Sequence, residues 1–246
     1  MNNYEFCAQW AIENGAAGKK VLDYGCGAGE IVVLLRERGI EAYGCDVFYE
    51  GGDYSAQVPN GLGGSVIRRI EKSHILFDSG YFDFVINNQV MEHVEDLDSC
   101  LSEIKRVLKP GGKVLSLFPD KGVWREGHCG IPFLHWFPKR NSISIYYAAA
   151  LRAIGMGYHK KNKGNLEWSR DFCLWLDRWT YYRSLASIHK SYEKYFSSIT
   201  HIELYWLYQR FGGYKVLFAW LPKRLKSLLV RKLGGLVFEC SKEATS

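Results

Sequence analysis

Nowhere in the chain do apolar residues run unbroken for the roughly 18 positions that a bilayer-spanning helix requires. Residues 1–15, MNNYEFCAQWAIENG, lack the basic start and apolar stretch of a secretion signal, so the chain is expected in the cytoplasm. No CxxC pair occurs among the seven cysteines, and an odd number cannot pair completely within one chain. That excludes a disulfide framework and favours free thiols used as small core residues. Internal repeats and low-complexity tracts are also missing. What the chain does have is 246 residues, 47% of them hydrophobic, enough to bury a sizeable core in one large or two small domains.

The net charge of +6 is modest and uneven, with its densest patches at HKKNK, 159–163, and KRLKSLLVRK, 223–232. Short basic runs of this kind are more often solvated faces than binding sites.

The first half alternates strand-like and helix-like segments, the pattern of a mostly parallel α/β sheet covered by helices on both faces. KKVLDYG, EAYGCDV, SVIRRI (65–70), YFDFVINN and KVLSLFP read as five strands. AGEIVVLLRERG and DLDSCLSEIKRVL carry apolar residues at helical spacing; Gly39 stops the first and KPGG the second. Three segments are expected: a core over 1–119, an aromatic-rich insertion or lid over 120–198, and C-terminal helices and last strands over 199–246. Within the last, IELYWLYQRFGGYKVLFAW reads as helix, stop and strand, and GGLVFEC as the final strand.

VLDYGCGAGE, 21–30, offers free backbone N–H groups and little side-chain bulk at a strand-to-helix turn, where a ligand can approach the main chain. The dinucleotide fingerprint G-x-G-x-x-G would require glycine where Glu30 stands, and a pyrophosphate there would be repelled. Alone, the glycines are weak evidence, since a tight strand-to-helix connection also uses them. Asp46, ending the second strand about twenty residues on, adds an acid placed to accept both ribose hydroxyls. Adenosine attached to something other than phosphate is the ligand this combination fits.

From VLDYGCGAG through GCDV and FDFVINNQVMEHV to EIKRVLKPGGKVLSLFP, the chain resembles the class I S-adenosylmethionine-dependent methyltransferases, especially the methyltransferase type 11 group. The resemblance implies a Rossmann-like, seven-stranded, mostly parallel sheet with an α and irregular insertion after strand five. It implies S-adenosyl-L-methionine as cofactor, its methionine part surrounded by Asp23, Gly25, Cys26, Gly27 and Gly29 and its ribose held by Asp46 beside Val47. By the same resemblance Glu71 meets the adenine amino group, with Lys72 where a small residue is common, and Asn88 and Gln89 pass under the amino acid end.

Methyl transfer to a hydroxyl calls for alignment and a base, and histidine suits the latter. His128 and His135 lie in WREGHCGIPFLHWFPKR, 124–140, directly after strand five, where open α/β sheets bind ligands. His93, in MEHV, is a third candidate, although it and Glu92 could simply tie down the turn. The same stretch and GMGYHKK are similar to segments of a subset of bacterial methyltransferases. The pattern H-C-x₅-H has no recognised ligand spacing, so no metal is expected. The motif N/D-P-P-Y/F, typical of enzymes that methylate base amino groups, is absent from NNQV, so nucleic acid is not an expected partner.

Trp175 and Trp179, four apart, share a helix face that reads as core packing. Over 221–233 five basic residues and no acid accompany Leu221, Leu225, Leu228 and Leu229, a composition for packing on the sheet or for lying on an anionic membrane. The expected activity is O-methylation of a small molecule or saccharide, with a cell-envelope glycan precursor in view. RNA or quinone methylation, and a cofactor-binding partner without chemistry, are the alternatives.

Overall fold

The computed structural model describes residues 1–159, 162–212 and 220–244. Its centre is a seven-stranded sheet in the order β3-β2-β1-β4-β5-β7-β6. The strands are β1 Lys20–Tyr24, β2 Glu41–Asp46, β3 Ile67–Arg69, β4 Phe82–Asn88, β5 Leu108–Phe118, β6 Ser197–His201 and β7 Leu236–Ser241. β1 to β5 pair in parallel, while β7 runs antiparallel to both β5 and β6.

Successive residues of β1 show why its sequence is nearly all apolar: Val21 packs into one buried cluster and Leu22 into another, so the strand is covered on both faces. One face is closed by the helices α1 (Asn3–Glu13) and α2 (Glu30–Arg36), through Trp10, Ile31 and Leu35. The opposite face is closed by α3 (Leu97–Val107), through Leu101 and Ile104. Asp96 caps α3 by accepting from the Ser99 N–H at 3.0 Å, and Lys105 and Arg106 complement its C-terminal end.

Between β5 and β6 lie α4 (Ser142–Ala153), α5 (Asn165–Trp179) and α6 (Leu185–Tyr192). α4, α5 and the preceding loop bury a cluster of their own around Trp168, Cys129 and Ile131. α7 (Glu203–Phe211) and α8 (Lys223–Gly234) precede β7, and Trp206 and Val230 from them join the face covered by α1. All seven cysteines are buried and unpaired, as expected from their number and scatter.

The expected strand at 214–220 falls almost wholly outside the described residues. The sixth strand of the sheet is instead Ser197–His201, which precedes α7 rather than following it. It is an edge strand whose residues are alternately half-buried and exposed, so its sequence SSITH carries none of the continuous apolar character used to find the others. Among the described residues no helix is long and apolar enough to cross a membrane.

Candidate active site

The turn after β1 is built by three glycines in the left-handed region, Gly25 at φ 75°, Gly27 at 53° and Gly29 at 90°, the last ending the loop at the start of α2. At Gly25 the requirement is also steric: a β-carbon would lie 2.3 Å from a methyl of Val90. The turn is tied to the second strand. Gly25 N–H donates to the Cys45 carbonyl at 2.7 Å, and Gly27 N–H donates to Asp46 Oδ2 at 2.9 Å. The other carboxylate oxygen of Asp46 accepts from Phe48 N–H at 2.8 Å, which leaves lone pairs on both oxygens for a further partner.

Asp23 is only 3% exposed, and its carboxyl is held well above the ordinary range by burial and then by the nearby charges of Asp46 and Glu30. Burial also raises the carboxyl of Asp46 despite its backbone donors. Three acids converging on one turn repel a phosphate and would be relieved by a cationic group. Tyr4 on α1 and Tyr54 adjoin this turn. The Tyr4 hydroxyl is raised by burial and by Glu30 and Asp23, and the Tyr54 ring is 3.7 Å from where a β-carbon on Gly27 would stand. Neither tyrosine was among the expected residues; both come from segments without a motif.

Val47 is exposed beside Asp46. β3 delivers Glu71 close by, since Ile70 N–H donates to the Asp46 carbonyl at 2.8 Å, and Glu71 with Lys72 begins an exposed tight turn. Asn88 closes β4 with its side-chain Oδ1 buried and, among the described residues, without a hydrogen-bond partner. Gln89 follows at φ 59°, its N–H donating to the Leu117 carbonyl at 2.7 Å.

Just beyond, the chain brings together residues far apart in sequence. His93 Nδ1 donates to the Trp179 carbonyl at 2.7 Å, and its Nε2 lies 3.1 Å from His128 Nε2. His128 Nδ1 lies 2.6 Å from Glu126 Oε1, an oxygen that also accepts from the Tyr182 hydroxyl at 2.7 Å. Glu126 Oε2 accepts from Cys129 N–H, again at 2.7 Å. Glu126 is fully buried; burial would raise its carboxyl, but the His128 hydrogen bond and charge and the other donors outweigh this and bring it down to about 2. For His128 the same partnership overcomes the loss of hydration and raises the imidazole. Burial lowers His93 to about 4 and raises the Glu92 carboxyl to about 7.

His128 also lines a cleft of about 420 Å³ whose walls include Tyr54, Tyr158, Phe172 and Trp175. Trp175 is thus more than core packing: its ring centroid is 5.0 Å from that of His128, and its indole N–H donates to the Gly51 carbonyl. Trp179 packs on Tyr49 at 4.9 Å and supplies the carbonyl that orients His93. His135 stands apart from this group. Its ring lies 4.5 Å from Tyr182, on a separate pocket of about 170 Å³, and burial lowers its imidazole. His93 and His128 are brought together; His135 reaches them only through Tyr182 and Glu126.

Residues 3–212 match the family of the methyltransferase domain. The ubiquinone biosynthesis O-methyltransferase of Bartonella bacilliformis is 29% identical over 128 residues, covering 50% of this chain and 51% of that protein. The protein of the same name from a Chelativorans species is 32% identical over 96 residues, 39% of this chain and 38% of its own. The chain spans about half the length, or less, of these curated relatives. The crystal structure of an S-adenosylmethionine-dependent methyltransferase from Mesorhizobium loti superposes with a TM-score of 0.54, covering 98% of this chain and all of that one at 13% identity, a likeness of fold. With the family matched over most of its length and the sheet order built around the glycine turn, the chain belongs to the methyltransferase domain family.

Proposed function

We propose that the chain transfers the methyl group of S-adenosylmethionine to a hydroxyl oxygen of a small molecule. The observation that carries this reading is the arrangement of Asp23, Glu30 and Asp46 around a glycine turn. This acidic site would stabilise a cationic nucleoside and oppose a dinucleotide. In this reading Asp23 faces the amino acid end of the cofactor, Asp46 accepts from the ribose hydroxyls, and Asn88 and Gln89 border the amino acid tail. Glu71 and Lys72 lie toward the adenine.

The cofactor supplies a methyl group already made electrophilic by its sulfonium. The contribution of the chain is placement, for which effective molarities in well-oriented reactions correspond to about 7–11 kcal/mol. The cleft beside His128 receives the acceptor, with Trp175 and Phe172 offering faces for a ring. His128 is the histidine that lines that cleft, with His93 behind it at 3.1 Å between the two Nε2 atoms. We read residues 120–198 as the lid that shapes it.

Calorimetric titration is expected to show S-adenosylhomocysteine binding far more tightly than NAD. In the same titration Asp46→Ala should weaken it by about 1.5–3 kcal/mol, roughly 10- to 150-fold, as for a hydrogen bond to a charged group. Equal affinity for NAD, or an Asp46→Ala variant as tight as the parent, refutes this use of the turn.

For the acceptor, the matched relatives are named for ubiquinone biosynthesis. A ring hydroxyl of the phenol or quinol type therefore displaces a saccharide as first choice. α8 favours a lipid-linked version of this acceptor, because Leu225, Leu228 and Leu233 are exposed on a basic helix and could rest on an anionic membrane. Incubating a cell extract with isotopically labelled cofactor and the protein should yield one labelled product whose methyl is ether-linked on an aromatic ring. A label on nitrogen or on a sugar would reject the phenol reading.

A further inference from the structure

Glu92, His93 and His128 bring one ligand-type atom each into a single cluster. The three atoms lie within 4.8 Å of one another, and the two imidazole Nε2 atoms are 3.1 Å apart. The opposite edges of both rings are committed. A carbonyl oxygen can only accept, so the 2.7 Å contact with Trp179 O puts the proton of His93 on Nδ1. The Glu126 carboxylate already accepts from Cys129 N–H and Tyr182 OH, and at 2.6 Å it takes the Nδ1–H of His128 as well. With both rings neutral, two Nε2 lone pairs face each other. Glu92, 2% exposed, has both carboxylate oxygens buried with no hydrogen-bond partner among the described residues.

A positive centre between the two Nε2 atoms and the Glu92 carboxyl would satisfy all three groups. A single proton would join the two nitrogens and leave Glu92 unsatisfied, whereas a metal ion satisfies all three. Nitrogens about 2.1 Å from one ion stand about 3.0–3.4 Å apart over the angles of octahedral and tetrahedral sites, which spans the observed separation. The surroundings also fit: histidine ligands hold their tautomer through a carboxylate or a backbone carbonyl on the far nitrogen, the roles of Glu126 and the Trp179 carbonyl here.

We propose that Glu92, His93 and His128 hold a divalent first-row transition-metal ion, which beside the cleft lined by His128 would take the hydroxyl oxygen of the acceptor. Two imidazoles with one carboxylate suit this class of ion better than calcium. The second half of the proposal rests on the methyl-transfer reading; the first half does not. Bound to the ion, the hydroxyl loses its proton to water in the cleft, and the oxygen then attacks the methyl carbon. The C–O bond forms as the C–S bond breaks, and its electron pair returns to sulfur as a thioether. His128 is then a ligand rather than the base, and Glu126 is a positioning residue.

The test is titration of the full chain, stripped with a chelator, with Co²⁺, whose visible absorption reports a nitrogen and oxygen ligand set. One Co²⁺ per chain is expected. Glu92→Gln and His93→Ala should each lower its affinity at least tenfold, and Glu126→Gln by about 10- to 100-fold with a shifted Co²⁺ band. His189→Ala, in the separate pair that His189 makes with His201, should leave binding unchanged. Failure of the parent chain to bind Co²⁺, or binding that Glu92→Gln and His93→Ala leave intact, overturns the site. Should His93→Ala not fold, the near-isosteric Glu92→Gln decides alone. S-Adenosylhomocysteine titration separates the two readings: Co²⁺ binding without nucleoside binding keeps the metal site and defeats methyl transfer, and the converse defeats the metal site.

Discussion

Replacing Trp168 with alanine is expected to lower the free energy of unfolding by about 3–5 kcal/mol, the range for emptying a fully buried aromatic site. Trp168 is 1% exposed and lies at the centre of the cluster formed by α4, α5 and the preceding loop. Its ring is 4.7 Å from Phe172 and lies under the Arg152 guanidinium at 4.6 Å, and its indole N–H donates to the Tyr158 carbonyl at 3.1 Å. The backbone nearby offers little slack to refill the hole, since even a β-carbon on Gly157 would come within 2.8 Å of the ring. Tyr158 and Phe172 are walls of the cleft beside His128, so the same change should loosen that cleft. Chemical denaturation reads the stability, and S-adenosylhomocysteine titration should show cofactor affinity retained, because the glycine turn packs in other clusters. A midpoint within experimental error of the parent would show that the insertion does not depend on this core.

Gly25→Ala should cost roughly 2–5 kcal/mol, from about 1–2 for an L-residue in the left-handed region and about 1–3 for forced overpacking. The contact is with Val90, whose methyl stands 2.3 Å from the new carbon, and Val90 is two residues before Glu92. Relief of the clash must therefore push either the turn or the segment carrying Glu92 and His93. Nucleoside affinity is expected to fall more than tenfold along with stability. Gly18→Ala provides the comparison: it has nearly the same φ, 70°, and nothing within 4 Å, so it should show the backbone cost alone. Equal losses in the two variants would mean that the Val90 contact is not a constraint.

Much of the glycine turn and the acid beside it was legible in the sequence, because both are made of local signals. Left-handed turns select glycine, buried parallel strands select apolar runs, and an acid at the end of β2 stands out against them. The cluster around His128 is not local. His93 and His128 meet across 35 residues, and the carboxylate that orients His128 is Glu126, a residue with nothing in its neighbourhood to mark it as buried. His135 has the more conspicuous aromatic context, yet lies behind Tyr182. Trp179 takes part through its carbonyl, a group every residue has and no sequence pattern exposes. The sixth strand was missed because an edge strand need not be apolar. α1 was missed although Asn2 and Glu5 form a capping box, because only tertiary packing puts Tyr4 over the turn.

The burial of every thiol has a practical consequence. Alkylating reagents need an accessible thiolate, and burial holds several of these thiols protonated; Cys26 and Cys129, beside the glycine turn and beside Glu126, are pushed far up by it. A cysteine introduced on the outer face of α5 would then be the one fast-reacting position among eight. Fluorophores or spin labels could be attached there to report on the insertion, with the native cysteines left in place.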